Sequence, residues 1–123
     1  ERTIELDLRR RAVVEARPQA VSRAIRNLVE NATKFSPDAT SITVIVDGGA
    51  VTVLDAGPGI PEADRSRIFD RFHRVEATRT MPGSGLGLSI VKQVAEAHGG
   101  SVSATEAPGG GAAVGFVLPT VDD

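Results

Sequence analysis

The stretch PQAVSRAIRNLVENATKF, Pro18 to Phe35, decides the fold class. At about 100° per residue, Val21, Ile25, Leu28, Val29 and Ala32 fall inside one apolar stripe roughly 100° wide, so the segment is expected to be a helix with one face against a core. Arg17-Pro18 sets its start, because a proline in the first turn lacks an N–H that would have no helical partner there. Ser36-Pro37-Asp38 ends it.

Strands are expected on both sides of that helix. Upstream, Ile4, Leu6 and Leu8 alternate with polar residues, and Ala12 to Ala16 follows the basic turn Arg9-Arg10-Arg11, which predicts two strands paired with each other. Downstream, Ile42 to Val46 and Val51 to Leu54 flank Asp47-Gly48-Gly49, a hairpin signal. Apolar residues on both faces of Val51 to Leu54 predict burial on both sides. A short helix is expected around Ala63 to Phe72. Residues 74–85 have no periodicity and exceed the usual loop of about 4 to 6 residues, as a lid would. A helix from Leu86 to His98 places Leu86, Ile90, Val94 and Ala97 on one side and stops at Gly99-Gly100. Closing strands over 101–105 and 113–118 surround Pro108-Gly109-Gly110-Gly111. The order β, β, α, β, β, α, loop, α, β, β predicts an α+β two-layer sandwich, with helices gathered on a mixed sheet. The chain has 123 residues, 41% of them hydrophobic, which fits one domain over 1–123 without repeats or linkers.

Composition narrows the function. There is no Cys, so disulfides, thiolate metal sites and a cysteine nucleophile are excluded. Fourteen Lys and Arg against sixteen Asp and Glu leave a net charge of −2, and the aromatic residues are four Phe. Neither a global field for polyanions nor stacking platforms for bases follow, so no nucleic-acid partner is expected. No apolar run approaches the ~18 residues that span a bilayer, and Glu1-Arg2-Thr3 does not open a signal peptide.

Three segments carry chemistry. Asn27, Asn31 and Lys34 lie at about 0°, 40° and −20° on the helical wheel and form one polar stripe. Such a stripe is either a solvated face or a set of amide oxygens, hard ligands for Mg²⁺, with a lysine for phosphate charge beside them. Asp55, at the end of an apolar strand, precedes Ala56-Gly57-Pro58-Gly59-Ile60-Pro61. That is either an ordinary turn or a carboxylate accepting from an exocyclic amine, with glycines that let a flat ring approach the backbone. Gly83-Ser84-Gly85-Leu86-Gly87-Leu88-Ser89 is a glycine-rich turn into a helix start, where free N–H groups favour an anion such as phosphate. The P-loop pattern fails because Leu88 follows Gly87 where Lys is required, and the Rossmann pattern fails because its third glycine would fall at Leu88.

Together these are the parts of an Mg-nucleotide site, and their order resembles a known family. Asn27-Leu-Val-Glu-Asn31-Ala-Thr-Lys34-Phe35 is similar to the N box (about 27–35) and Asp55-Ala-Gly57-Pro-Gly59-Ile60 to the G1 box (55–61) of the catalytic ATP-binding domain of bacterial sensor histidine kinases. Ile68-Phe69-Asp-Arg71-Phe72 resembles the F box (68–72), and Gly83-Ser84-Gly85-Leu86-Gly87-Leu88 the G2 box (83–88), with the lid at about 74–84. The resemblance covers about residues 3 to 119. It implies a Bergerat-type fold, a mixed sheet covered on one face by three helices with a mobile lid, holding ATP and Mg²⁺. It further implies that Asn31 is the main metal ligand supported by Asn27, that Lys34 touches phosphate and that Phe35 lies near adenine. By the same resemblance Asp55 reads the adenine amine, Gly57, Gly59 and Ile60 line the base, and Gly83, Ser84, Gly85, Leu86, Gly87 and Leu88 border the phosphates. Phe69 and Phe72 would anchor the lid, and Arg74 would meet the γ-phosphate.

The implied activity is transfer of the γ-phosphate to a histidine on a helical dimerisation domain of the parent protein, which signals to a response regulator. The implied place is cytoplasmic, with a membrane reached only through the parent sensor. Neither His73-Arg74 nor His98-Gly99 fits an acceptor, whose His is followed by Asp or Glu, and His98 reads instead as a partner of its helix dipole. Gly111-Ala112-Ala113-Val114 departs from the family's Gly-Thr-Thr/Ser-Phe and puts a hydroxyl contact near adenine in doubt. Two alternatives stand beside this reading. One is a hydrolase of the gyrase, Hsp90 or MutL type, which would need Glu where Asn27 stands. The other is a degenerate interaction module.

Overall fold

The structure, a computed structural model, describes residues 3–37, 40–70 and 87–121. Strand β1 (Thr3–Arg10) leads into helix α1 (Pro18–Phe35), followed by the hairpin β2 (Ser41–Asp47) and β3 (Ala50–Leu54), helix α2 (Gly87–Ala97), and the strands β4 (Ser101–Glu106) and β5 (Ala112–Val117). The sheet order is β1-β2-β3-β5-β4, with β1 parallel to β2 and the other three pairings antiparallel. It is the expected mixed sheet of an α+β sandwich.

Register explains the two faces. Val44 pairs with Val53, Val53 with Val114 and Val114 with Ala104, which aligns one apolar row across the sheet. Helix α1 lays Ala24, Leu28 and Ala32 on that row, and α2 adds Val91 and Ala95. Leu28, Ile42 and Val91 are fully buried at the centre. Val21, Ile25 and Val29 pack around this core half-buried, as the helical stripe requires. Alanines at 24, 32 and 95 let α1 and α2 lie side by side, since small side chains shorten the distance between packed helices.

Four expectations are corrected. Ala12 to Ala16 is not a strand paired with β1; it makes one isolated bridge, Val13 to Val121. The partner of β1 is β2, reached through α1, with Ile4 opposite Ile42 and Leu6 opposite Val44. Of the helix expected at 63–72, the described part is a single 3₁₀ turn, Glu62–Asp64, continued by turns to residue 69, and residues 71 and 72 lie outside the described residues. Two α-helices, not three, therefore cover the sheet among the described residues. Strand β3 is buried on one face only, through Val51 and Val53, because both helices lie on the same side and leave Ala50, Thr52 and Leu54 half-buried.

Two contacts fix the ends of these elements. At the end of β1, Arg10 Nε donates to Asp47 Oδ1 at 2.5 Å, and this bond and the carboxylate charge hold the guanidinium above its ordinary value. His98 does more than face its helix dipole. Its Nδ1 lies 2.7 Å from the Val94 carbonyl and its Nε2 accepts the Arg17 backbone N–H at 3.0 Å, an arrangement in which Nδ1 is the donor. It ties the last turn of α2 to the start of α1, whose N-cap has no side-chain bond of its own.

Candidate functional site

The loop after β3 is held by its own first residue. Asp55 donates its backbone N–H to the Ala112 carbonyl at 3.0 Å, and its Oδ1 accepts the N–H of Ala112 and of Gly57, each at 2.9 Å. The residue is 8% exposed. Oδ1 is thereby committed to the backbone, while Oδ2 has no protein partner among the described residues. A carboxylate oxygen left free beside glycines is an acceptor waiting for a donor.

Glycines make that loop possible. Gly111 has φ +84°, and a Cβ there would stand 2.1 Å from the Asp55 carbonyl oxygen and 2.9 Å from Oδ1. At Gly57 a Cβ would meet the Phe35 carbonyl oxygen at 2.4 Å. The end of α1 is thus pressed against the loop, and the Ser36 hydroxyl accepts the Ala56 N–H at 3.0 Å to fasten the two. Ile60 packs on the core, and Arg65 Nε donates to its carbonyl at 3.1 Å.

The polar stripe of α1 runs away from this loop towards α2. Phe35 is half-buried at the loop end and Lys34 is exposed, while Asn31 and Asn27 are half-buried one and two turns back. Asn27 faces the first residue of α2: a methyl group on Gly87 would lie 3.6 Å from Asn27 Oδ1. Helix α1 therefore carries Phe35 and Ser36 to Asp55 at one end and Asn27 to the start of α2 at the other. Gly87 and Leu88 are half-buried there, with Leu88 packed on the core.

Of the site residues expected from the sequence, the structure brings Phe35, Asp55, Gly57, Gly59 and Ile60 together at one end and Asn27 and Gly87 at the other, with Asn31 and Lys34 between them on α1. Arg74, Gly83, Ser84, Gly85 and Leu86 lie outside the described residues, as does Phe72. Phe69 is 4% exposed, a core residue together with Ile68. Sequence reasoning missed Ser36, and Gly111 and Ala112 as the holders of Asp55. Ser-Pro at a helix end and a run of three glycines were the available signals. Among the described residues no cluster of three His, Cys, Asp or Glu forms a metal site, so a cation at the stripe would rest on amide oxygens.

Comparison with known proteins identifies the family and the fold. The profile of the family described as histidine kinase-, DNA gyrase B- and HSP90-like ATPases matches residues 16–122. This chain belongs to that family. It is 44% identical over 110 residues, 82% of its length and 22% of the relative's, to the signal transduction histidine-protein kinase/phosphatase MprB of Mycolicibacterium smegmatis. It is 37% identical over 114 residues, 86% of its length and 19% of the relative's, to the sensor histidine kinase WalK of Bacillus subtilis. The chain thus spans about a fifth of these relatives. Among solved structures, a mycobacterial sensor histidine kinase MprB superposes with a TM-score of 0.83 at 36% identity, over 97% of this chain and 84% of that one. Full-length ShkA in complex with AMPPNP superposes at 0.78 and 30% identity, over 99% of this chain and 26% of that one. The histidine-kinase ATP-binding domain of this family and the fold described above coincide, and among the described residues no helix is long and apolar enough to cross a membrane.

Proposed function

We propose that the chain binds Mg·ATP and presents its γ-phosphate to a histidine on the helical dimerisation domain of a parent sensor kinase, which relays it to a response regulator. The observation that carries this reading is the divided carboxylate of Asp55, one oxygen bound by two backbone N–H groups and the other free beside glycines. Oδ2 accepts the adenine amine, Gly57, Gly59 and Ile60 flank the ring, and Phe35 lies along it. Asn31 and Asn27 hold Mg²⁺ through amide oxygens, a donor set that fits a hard octahedral cation taking its remaining ligands from phosphate and water. When bound, the metal neutralises phosphate charge. Lys34 adds a positive charge to the same stripe, and Gly83, Ser84, Gly85, Leu86, Gly87 and Leu88 border the phosphates, with Arg74 on the γ-phosphate.

In this division of labour the chain positions and neutralises, as phosphoryl transfer requires, and does not activate water. Asn27 is an amide and cannot act as a base, and Glu30, a quarter-turn away, is exposed. The parent would be an inner-membrane sensor with this domain in the cytoplasm. AMPPNP bound to ShkA, a 30% identical neighbour, supports a nucleotide ligand.

The test has two stages. Saturating Mg·ATP, at about 100 times its dissociation constant, should stabilise the chain by roughly 2.7 kcal/mol, and radiolabelled ATP with an acceptor hairpin should give an acid-labile label. Asn31→Ala should remove the gain in ATP affinity that Mg²⁺ provides, read by titration with and without EDTA. Absence of any melting shift would leave only an interaction module.

A further inference from the structure

The polar stripe of α1 does not stop at Asn27. Arg23 stands four residues before it, about 6 Å nearer the start of the helix and roughly 40° round the axis, so Asn31, Asn27 and Arg23 form one ladder. The direction of that ladder is fixed by the two ends of the site. Phe35 and Ser36 meet the Asp55 loop, Asn27 meets Gly87, and Arg23 lies one turn beyond, on the side away from the base. A cleft of about 420 Å³, lined by Pro18, Gln19, Ser22, Arg23 and Arg26, opens on the face of α1 turned about 100° from Asn27, with Arg23 at its edge nearest the stripe. Arg23 and Arg26 are exposed, and neither has an ion-pair partner among the described residues. Arg26 serves as an internal comparison: it carries the same charge in the same cleft but is turned about 100° from Asn27.

We propose that Arg23 is a catalytic residue for phosphoryl transfer, binding the γ-phosphate on the side from which the acceptor approaches. The inference rests on the proposed function, because it takes the nucleotide to lie along α1 with its base at Asp55. In the transfer, an unprotonated imidazole nitrogen of the acceptor gives its lone pair to the γ-phosphorus. The bond from phosphorus to the β,γ-bridging oxygen breaks, and ADP leaves with that electron pair. The proton on the other ring nitrogen passes to solvent. Negative charge spreads over the three outer oxygens of the moving group, and a guanidinium facing them holds that charge at a point Lys34, at the other end of the stripe, does not reach.

The test compares ATP with ADP in this chain, so that the γ-phosphate is the only variable. Arg23→Ala should weaken ATP about tenfold and ADP less than twofold, and slow transfer to an acceptor hairpin by on the order of 100-fold. Arg23→Lys should recover part of the ATP preference, and Arg26→Ala should leave both affinities and the transfer rate within twofold. Equal losses for ATP and ADP, no loss for either, or an Arg26→Ala variant that matches Arg23→Ala would overturn the proposal. A wild-type chain that binds neither nucleotide would instead overturn the functional reading beneath it.

Discussion

The two ends of the candidate site are built differently. At the Asp55 end, backbone does the work: two N–H groups grip one carboxylate oxygen, and glycines let strand, loop and helix end approach more closely than any side chain allows. At the Asn27 end the parts are side chains on successive turns of one helix, half-buried or exposed. The first end is fixed by folding itself, and a change there acts on stability before binding. The second can change residue by residue, and under the proposed function a change there acts on the ligand.

The sharpest break in that contrast comes at Gly111. Gly111→Ala puts a methyl group 2.1 Å from the Asp55 backbone oxygen at φ +84°, so the β5 end must move and Asp55 loses the Ala112 N–H. We expect a loss of about 3 kcal/mol or more in urea unfolding, an upper-range effect for one methyl group, with the site lost as well. Asp55→Asn separates folding from recognition. The amide oxygen can keep the two backbone N–H groups, while the amide nitrogen replaces the free Oδ2 and turns an acceptor into a donor. Stability should fall by under about 1.5 kcal/mol, ATP affinity should drop about 10- to 100-fold, and a base with a carbonyl in place of the amine, as in ITP, should bind better than ATP. If ITP gains nothing, Asp55 does not read the base. The smallest effect is expected at Ala112, whose backbone N–H already holds Asp55. Ala112→Ser adds a hydroxyl where the family often carries one, and should change ATP affinity by no more than about tenfold, the value of one hydrogen bond.

What could be read from the sequence follows the same division. Helix α1, the β2–β3 hairpin, α2 and the closing strands each carry their own periodicity, and they form within about two residues of the expected limits. The partner of β1 was not legible, because alternation identifies a strand without saying what it pairs with. Nearness favoured Ala12 to Ala16, yet α1 carries the chain across to bring β2 alongside. The helix expected from Ala63 did not form over 63–70 for want of a stripe: Ile68 and Phe69 are adjacent, and burying that one pair needs only turns. In the candidate site, Asn27, Asn31 and Asp55 stood out because two stacked amides beside an apolar stripe and a carboxylate at a strand end call for a reason. Ala112 contributes a backbone N–H, which every residue but proline has, so no letter of the sequence could mark it.

The attachment of β1 has a mechanical consequence. Among the described residues, Thr3 to Arg10 meets the sheet through β2, and none of the bonds that hold Asp55 passes through it. A pull on Thr3 would unzip the outermost strand while the remaining antiparallel strands stayed paired. The first strand is placed to yield as a fuse does, ahead of the parts it protects.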